Sequence, residues 1–340
     1  MILRSATHAD LPALLQLSES IPGGMTSMPF DQSTWEKKLA LVESSFSSRE
    51  TKMHEAIYFF VLEDPDIQEI VGTCGMHAGV GLNRPFYNYK LSRHVSKSKE
   101  LDITVNSNTL NLCNDFTGET ELVSLFLKES HRKAKVGQFL SRSRFMFLRE
   151  FESLFGNVVF AEIRGWLNSE GESPFWDSLG RQFFDMPYFK ADFISAVNGS
   201  QFISDLMPRF PVYLELLSQE AVSVIGKPNK DSLAAMRLLE KEGFQYQRVV
   251  DIFDAGPVVQ SYKDRIKSVL QTQDYRVVDS FSGADEAYNC IVSNKQFGSF
   301  KAVLAQVERL DENSIVLSEK ALQMLEVELQ SEVSVLPLRD

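Results

Sequence analysis

The sequence has few of the residues from which disulfide and metal sites are built. Its three cysteines, Cys74, Cys113 and Cys290, are an odd number, lie far apart and form no C-x-x-C pair. Its five histidines show no H-E-x-x-H or similar spacing. Unpaired, scattered thiols are typical of a reducing compartment. We therefore predict a cytoplasmic protein with no metal ion and no permanently bound cofactor.

Long apolar runs and an excess of basic residues are also lacking. The longest aromatic–aliphatic run, residues 57–62, falls far short of the roughly 20 residues of a membrane-spanning helix, and the N-terminus shows no apolar signal segment. The formal net charge of −11 disfavours nucleic acid and anionic membranes, because both are bound through surplus Lys and Arg. We expect small-molecule partners, with no nucleic acid and no membrane.

The length and the periodicity of the chain predict an α/β (α+β) protein. A chain of 340 residues, 44% of them hydrophobic, is long enough for about two domains. We place the first at 1–270, with a proline-interrupted helical insertion at about 166–230. Short strands at 287–293, 300–307 and 332–336 make 271–340 a small β-rich domain, with a barrel as one alternative.

Several elements of the first domain can be assigned from their patterns. A helix beginning at Asp31 carries Trp35, Leu39, Val42 and Phe46 on one face. Residues 57–63 and 69–80 predict paired strands, and 121–127 and 158–163 predict two more. A long helix follows the 121–127 strand, and a later helix begins at Ser232 and ends at Gly243, with a strand at 244–253.

A basic loop joins the 121–127 strand to the long helix. It reads Arg132-Lys133-Ala134-Lys135-Val136-Gly137. Backbone N–H groups at a helix N-terminus, together with the positive end of the helix dipole, can bind a pyrophosphate. The alternative is that three basic residues only solvate the start of a helix.

The order of elements and this loop resemble the acyl-CoA N-acyltransferase superfamily. The superfamily loop is R/Q-x-x-G-x-G/A, and Lys135 stands where its first glycine is usual. The late helix matches the superfamily at Ala235, Leu238, Lys241, Gly243 and Phe244. Ser232 and Leu239 replace the usual Asn and Tyr, and that Tyr often protonates the leaving thiolate. This second match supports the fold more than the activity.

A more specific resemblance, to the arginine N-succinyltransferase family, covers essentially the whole chain. It rests on several long strings in the right order: 23–27 (Gly-Gly-Met-Thr-Ser), 81–89 (Gly-Leu-Asn-Arg-Pro-Phe-Tyr-Asn-Tyr), 114–118 (Asn-Asp-Phe-Thr-Gly), 141–147 (Ser-Arg-Ser-Arg-Phe-Met-Phe), 173–176 (Ser-Pro-Phe-Trp), 206–213 (Leu-Met-Pro-Arg-Phe-Pro-Val-Tyr) and 251–257 (Asp-Ile-Phe-Asp-Ala-Gly-Pro).

The resemblance implies a mixed sheet flanked by helices and the transfer of a succinyl group from succinyl-CoA, as co-substrate, to the α-amine of L-arginine. It implies a succinyl-CoA contact at Leu125. The family's proton-donating histidine falls on Asn229, after Val224-Ile225-Gly226-Lys227-Pro228. Asparagine cannot titrate, so a catalytic role at Asn229 is put in doubt, although a thiolate can leave without a strong acid.

Arginine as acceptor requires carboxylates that pair with its guanidinium. The candidates are Asp115, Glu121, Glu162 and Asp254, although Glu162 can equally pair with the neighbouring Arg164. Arg144 or Arg164 can meet the succinyl carboxylate; each also has an ordinary structural interpretation.

Two other functions remain open at this stage. One is an acyltransferase of the same fold whose acceptor has changed, for example to ornithine. The other is a non-catalytic protein that binds CoA or arginine. A homo-oligomer is also left open.

Overall fold

The computed structural model describes residues 1–21, 24–49, 54–133, 135–198, 201–282 and 289–338. Gly23, Ala134 and Ala287, which enter the sequence analysis, lie outside these ranges. No helix within them is long and apolar enough to cross a lipid bilayer.

Sixteen strands form one hydrogen-bonded sheet in the described part of the chain. They are β1 (Ile2–Ser5), β2 (Ala56–Asp64), β3 (Glu69–Ala78), β4 (Asn88–Ser98), β5 (Ile103–Cys113), β6 (Thr120–Leu127), β7 (Val158–Glu162), β8 (Val212–Tyr213), β9 (Gln245–Val250), β10 (Pro257–Tyr262), β11 (Gln273–Phe281), β12 (Cys290–Ser293), β13 (Lys301–Ala305), β14 (Glu308–Arg309), β15 (Ser314–Ser318) and β16 (Glu332–Pro337). Their order is β14-β15-β11-β16-β12-β13-β1-β2-β3-β6-β7-β10-β9-β4-β5-β8.

Eleven α-helices flank this sheet within the same residues. They are α1 (Leu11–Ser20), α2 (Gln32–Ser47), α3 (Val136–Glu150), α4 (Pro174–Ser178), α5 (Arg181–Phe184), α6 (Tyr188–Asn198), α7 (Gln201–Leu206), α8 (Gln219–Val224), α9 (Leu233–Glu242), α10 (Lys267–Gln271) and α11 (Glu319–Leu325).

The elements with the clearest sequence patterns are confirmed. The strands predicted at 57–63 and 69–80 are β2 and β3, which pair antiparallel. The Asp31 side chain caps α2 by accepting the Thr34 N–H at 2.8 Å. Helix α9 ends at Gly243, whose φ of 103° is the left-handed conformation that glycine adopts without a Cβ clash.

The main core joins the first and last thirds of the chain through aromatic rings. The ring of Phe147 on α3 lies 5.2 Å from those of Tyr58 and Phe60 on β2. It also lies 5.1 Å from Phe300 and 6.0 Å from Phe297, just before β13. Ring pairs at these distances add to the free energy of burial, so they hold α3 against β2 and the segment before β13.

The predicted helical insertion contains α4 to α8 and has a core of its own. Trp176 stacks against Phe184 at 5.5 Å and against Phe253 at 5.6 Å. Phe253 belongs to the turn between β9 and β10. The insertion therefore packs directly on that turn and sets its position.

The C-terminal strands β11 to β16 extend the main sheet. Strand β13 pairs with β12 on one side and with β1 on the other. Both of its edges are therefore occupied, and the sheet continues from β1 into the C-terminal strands. The barrel alternative stays a prediction. The division into two domains stays a prediction.

Candidate active site

Two parallel strands in the middle of the sheet separate from each other. Strands β6 and β7 pair only at Thr120–Val159 and Glu121–Phe160, after which β6 continues to Leu127 without β7. On its other side β7 pairs with β10 along its whole length. The result is a gap between the two strands, open toward their carboxyl ends.

A β-bulge lies beside this gap. Ser124 has a φ of 56°, and the register of β6 against β3 shifts there. Thr73 holds the bulge, because its hydroxyl donates a hydrogen bond to the Ser124 carbonyl at 2.8 Å. A bulge bends a strand and interrupts its pairing. The backbone of the predicted donor contact, Leu125, is the first after the bulge and borders the gap.

The predicted pyrophosphate loop lies between β6 and α3. Lys135 adopts a φ of 75°, the left-handed conformation that favours the glycine usual at this position. The loop therefore has the conformation expected of that glycine although it carries a lysine. A Cβ at Gly137 would meet nothing within 4 Å, so the first turn of α3 has open space beside it.

The other loop residues are placed as follows. Arg132, Lys133 and Lys135 are exposed, and the Arg132 Nε donates to the Leu127 carbonyl at 3.1 Å. Val136 is buried, and its N–H donates to the Lys133 carbonyl, so its side chain belongs to the core. Because the first N–H groups of a helix lack partners within the helix, the start of α3 can still bind an anion.

Four carboxylates gather around the point where the two strands separate. Glu121 is on β6, Glu162 ends β7, and Asp251 and Asp254 lie in the β9–β10 turn. Burial raises the pKa of Glu121 to about 8, with repulsion from Asp251 adding to it and Lys38 opposing it. Burial and repulsion from Glu121 hold the pKa of Glu162 well above its ordinary value.

The same cause acts on Asp251, whose pKa is raised by burial and by repulsion from Asp254 and Glu162. Carboxylates that raise one another's pKa in this way form a site that favours a cation. A positively charged ligand would relieve the repulsion and release the protons.

Asp254 is fixed by the backbone. Its two oxygens accept the N–H groups of Gly165 at 2.7 Å and Gly256 at 2.8 Å, and Tyr188 donates its hydroxyl at 3.4 Å. Glu162, by contrast, accepts only a side-chain amide, from Asn88 at 2.7 Å, within the described residues. Asp251 also accepts two backbone N–H groups, those of Phe253 at 2.7 Å and Asp254 at 2.9 Å, but both bonds go to Oδ1. Glu162 and the Oδ2 of Asp251 are thus better placed to meet a ligand, whereas Asp254 holds the turn in position with both of its oxygens.

The remaining sequence candidates lie in other settings. Asp115 is half exposed and forms an ion pair with Lys90 at 3.3 Å, so the structure does not bring it into the carboxylate cluster. Glu162 is not paired with its neighbour Arg164, whose guanidinium lies 3.6 Å from Asp192. Arg144 is buried and donates to the carbonyl and hydroxyl of Ser141.

Asn229 begins a short 3₁₀ turn next to the end of β7. Its N–H donates to the Arg164 carbonyl at 2.7 Å, and its Oδ1 caps the turn by accepting the Asp231 N–H at 3.0 Å. The position is therefore beside the strand that ends in Glu162, but its side-chain oxygen serves as a helix cap.

A pocket of about 460 Å³ opens on the same side of the sheet as Glu121. Its lining residues are Glu55, His77, Val80, Gly81, Asn83, Arg84, Pro85 and Phe86. His77 pairs directly opposite Glu121, and directly opposite residues of antiparallel strands point to the same face. Burial lowers the pKa of His77, and Lys38 adds to this effect.

Three residues of the site were not singled out from the sequence. Asn88 and Asp251 lie within the strings 81–89 and 251–257. Apart from that, only their polar or acidic residue type could have marked them as site residues. Lys38 had a positional signal: it lies three residues after Trp35, which places it beside the apolar face of α2.

The comparisons with known proteins bear on the family and the fold of the chain. Residues 1–268 match the family described as arginine N-succinyltransferase beta subunit, and residues 273–337 match the C-terminal domain of the same subunit. The arginine N-succinyltransferase subunit beta of Pseudomonas aeruginosa is 42% identical over 296 residues, covering 87% of this chain and 86% of the relative.

Two further relatives extend over more of the chain. The arginine N-succinyltransferase of Escherichia coli (strain 55989 / EAEC) is 38% identical, covering 94% of this chain and 93% of the relative. The solved structure of arginine/ornithine succinyltransferase subunit AI from Pseudomonas aeruginosa is 30% identical with a TM-score of 0.90, covering 100% of this chain and 99% of that one. The acyl-CoA N-acyltransferase-like fold is thereby confirmed, and the chain is an acyltransferase that belongs to the arginine N-succinyltransferase family.

Proposed function

We propose that this enzyme transfers the succinyl group of succinyl-CoA to the α-amine of L-arginine, giving N2-succinylarginine and CoA in arginine catabolism. The observation that carries the proposal is the carboxylate cluster of Glu121, Glu162, Asp251 and Asp254 around the point where β6 and β7 separate. A gap bordered by strand backbone suits an acyl-CoA, and an anionic end suits a cationic acceptor.

The donor is proposed to lie along β6. Its pantetheine amides would pair with the backbone that borders the gap at Leu125, as an added strand does. Its pyrophosphate would meet the exposed start of α3 at Gly137, with Arg132, Lys133 and Lys135 nearby as point charges.

The acceptor is proposed to bind with its guanidinium toward Glu162 and Asp251. Planar, bidentate pairing with carboxylates is the geometry that a guanidinium prefers. The α-amine then lies toward Glu121, closer to the bulge and the thioester.

The chemistry removes two protons from the acceptor nitrogen and supplies one to the leaving sulfur. The Glu121 carboxylate would take a proton from the α-ammonium, and the free amine nitrogen would attack the thioester carbonyl carbon. The C–N bond forms, the carbonyl becomes an oxyanion beside the Leu125 backbone, and its collapse breaks the C–S bond. The adduct nitrogen loses its second proton as the amide forms, and the CoA thiolate takes up a proton, so one proton is released overall. At Asn229 no side-chain proton is available, so a hydrogen bond or water must serve there.

Ornithine is a second acceptor to test, because the related solved structure is titled arginine/ornithine succinyltransferase. Its terminal ammonium is also a cation that Glu162 and Asp251 can bind. It lacks the planar fork of a guanidinium, so we expect arginine to be preferred.

The setting of the enzyme is proposed to be the cytoplasm, where its three cysteines remain free thiols. Succinyl-CoA serves as co-substrate, with no permanently bound cofactor. Since relatives are named as subunits, we propose an oligomer, with identical chains or with a second one.

The test is mass spectrometry of arginine or ornithine incubated with succinyl-CoA and purified protein. Succinylarginine should form, and Glu162→Gln should raise the KM for arginine at least tenfold. Asp115→Asn is the matched control and should leave that KM unchanged. Absence of succinylated product with either acceptor would refute the proposed function and favour a non-catalytic binding protein.

A further inference from the structure

Lys38 on α2 is half-buried, and its charge has no ion-pair partner among the described residues. Its Nζ lies 4.5 Å from the centre of the Phe59 ring and 5.0 Å from that of Trp35. It donates to the Ser27 carbonyl at 2.6 Å and meets the Ser124 hydroxyl at 3.4 Å. The Glu121 carboxylate attracts the Lys38 ammonium, but within the described residues Lys38 forms no ion pair.

A charged Lys38 ammonium is destabilised in this environment. Burial lowers the pKa of Lys38 to about 7, against the attraction of Glu121. A buried ammonium with only neutral partners is destabilised unless an anion reaches it. A carboxylate ligand at this point would supply the missing charge.

The position of Lys38 next to the β6 bulge indicates that it would contact the acyl end of the donor. Ser124, which it contacts, is the bulge residue immediately before Leu125. A donor lying along β6 therefore brings its thioester to the bulge, and the acyl chain beyond the thioester points past Ser124 toward α2. In a succinyl group, two methylenes separate the thioester carbonyl from the terminal carboxylate.

Other basic residues near the gap are engaged elsewhere. The Arg164 guanidinium lies beside Asp192 and donates to the Gly24 carbonyl, and Arg144 donates to Ser141 inside the core. Arg132 and Lys135 are exposed at the pyrophosphate loop, at the opposite end of the proposed donor.

We propose that Lys38 binds the terminal carboxylate of the succinyl group and so selects succinyl-CoA over donors with uncharged acyl chains. The inference rests on the proposed function, because it assumes that an acyl-CoA lies in the β6–β7 gap. It adds a specificity-determining residue on α2, a helix that contributes none of the carboxylates.

The test compares succinyl-CoA with butyryl-CoA, which has a methyl group in place of the carboxylate. The ratio of kcat/KM for the two donors is measured with arginine for the wild type, Lys38→Met and Lys37→Met. The ratio does not depend on how much of a variant is folded. Methionine keeps the unbranched stem that packs on Trp35 and Phe59, and exposed Lys37 is the matched control on the same helix.

The ratio should fall roughly 10- to 100-fold in Lys38→Met, the range expected when a buried hydrogen bond to a charged group is lost. It should be unchanged in Lys37→Met. Should Lys38→Met fail to fold, Lys38→Gln gives the same measurement. An unaltered ratio would overturn the proposal. If both kcat/KM values fall by the same factor, Lys38 acts in the chemistry itself and not in donor selection.

Failure of the proposed function is distinguishable from failure of this inference. A wild type that acylates no arginine refutes the function. Calorimetric binding of the two donors to the same variants still tests Lys38, which should favour succinyl-CoA only when its ammonium is present. Equal affinity of the wild type for both donors would overturn the inference.

Discussion

The Asp254 carboxylate lies against the backbone of Gly165, whose N–H it accepts at 2.7 Å. A Cβ on Gly165 would stand 2.4 Å from the Asp254 carbonyl oxygen and 2.6 Å from its Oδ1. These separations are far inside van der Waals contact, so only glycine permits this approach. The carboxylate in turn fixes the β9–β10 turn that carries Asp251.

Gly165→Ala should therefore weaken the binding of arginine without changing the binding of the donor. The methyl group pushes the β9–β10 turn away from β7, which moves Asp251 relative to Glu162. We expect a KM for arginine at least tenfold higher, a loss of about 1–3 kcal/mol in unfolding free energy, and an unchanged affinity for CoA. Steady-state kinetics and calorimetry measure these.

Gly298→Ala is the control for that substitution, because the nearest atom to its new Cβ would be 3.6 Å away. It should behave as the wild type. An unchanged KM for arginine in Gly165→Ala would show that the turn does not position the acceptor.

Gly137→Asp should separate helix stability from donor binding. The new side chain enters open space, and a carboxylate in the first turn of α3 stabilises the helix by about 0.3–1 kcal/mol. The same negative charge repels a pyrophosphate, so we expect CoA affinity to fall at least tenfold. The melting temperature, measured by thermal unfolding, should rise, whereas the affinity for CoA, measured by calorimetry, should fall.

Gly137→Ala, which adds the methyl without the charge, should retain most of the CoA affinity. If Gly137→Asp also binds CoA normally, the phosphates lie elsewhere on the protein.

Strong local patterns were sufficient to predict much of this fold. Strand β6, buried on alternate residues, and helix α9, with its terminal Gly243, carry their periodicity and caps in the sequence. The β4–β5 hairpin was missed because it is largely exposed. Only positions near its base, such as Tyr89 and Leu110, are buried, so it lacks a hydrophobic alternation.

The missed hairpin also explains why Asp115 lies apart from the other candidate carboxylates. Asp115 was chosen by residue type, but the hairpin brings Lys90 across to pair with it. Asp251 and Lys38 gain their importance only when the β9–β10 turn and α2 meet β6 in three dimensions. Contacts of this kind are not local in sequence, so composition and spacing could not indicate them.

The rate of arginine acylation should rise with pH through about 8. Burial raises the pKa of Glu121 to about 8, so below that pH the proposed base is protonated and cannot accept the ammonium proton. The charged groups around it are Lys38 on α2, Glu162 on β7, Asp251 in the turn and His77 on β3. The measurement is kcat/KM for arginine from about pH 6 to about pH 10, with butyryl-CoA as donor.

The rise of kcat/KM with pH is the ascending limb of the pH profile. Substitutions around Glu121 should shift this limb along the pH axis in opposite directions. Asp251→Asn removes a repulsion that raises the Glu121 pKa, so the limb moves to lower pH. Lys38→Met removes the attraction that opposes the rise, so the limb moves to higher pH. Glu121→Gln should abolish the limb and slow turnover by about 10²- to 10⁴-fold. A flat wild-type profile would exclude Glu121 as the base.

Asn229→His should raise turnover with succinyl-CoA and introduce a new pH dependence near about 6.5, the ordinary histidine value. The position adjoins the end of β7 through the Arg164 carbonyl, and an imidazolium there can give a proton to the leaving thiolate.

Losing the Asn229 cap on Asp231 should cost about 1 kcal/mol of stability. Asn229→Ala loses the same cap without gaining an acid, so it should share the stability loss and show no faster turnover. A wild type that already turns over at about 10 s⁻¹ and is unaffected by the histidine would show that the proton reaches sulfur by another route, and His77, on the same face as Glu121, would then be the next residue to replace.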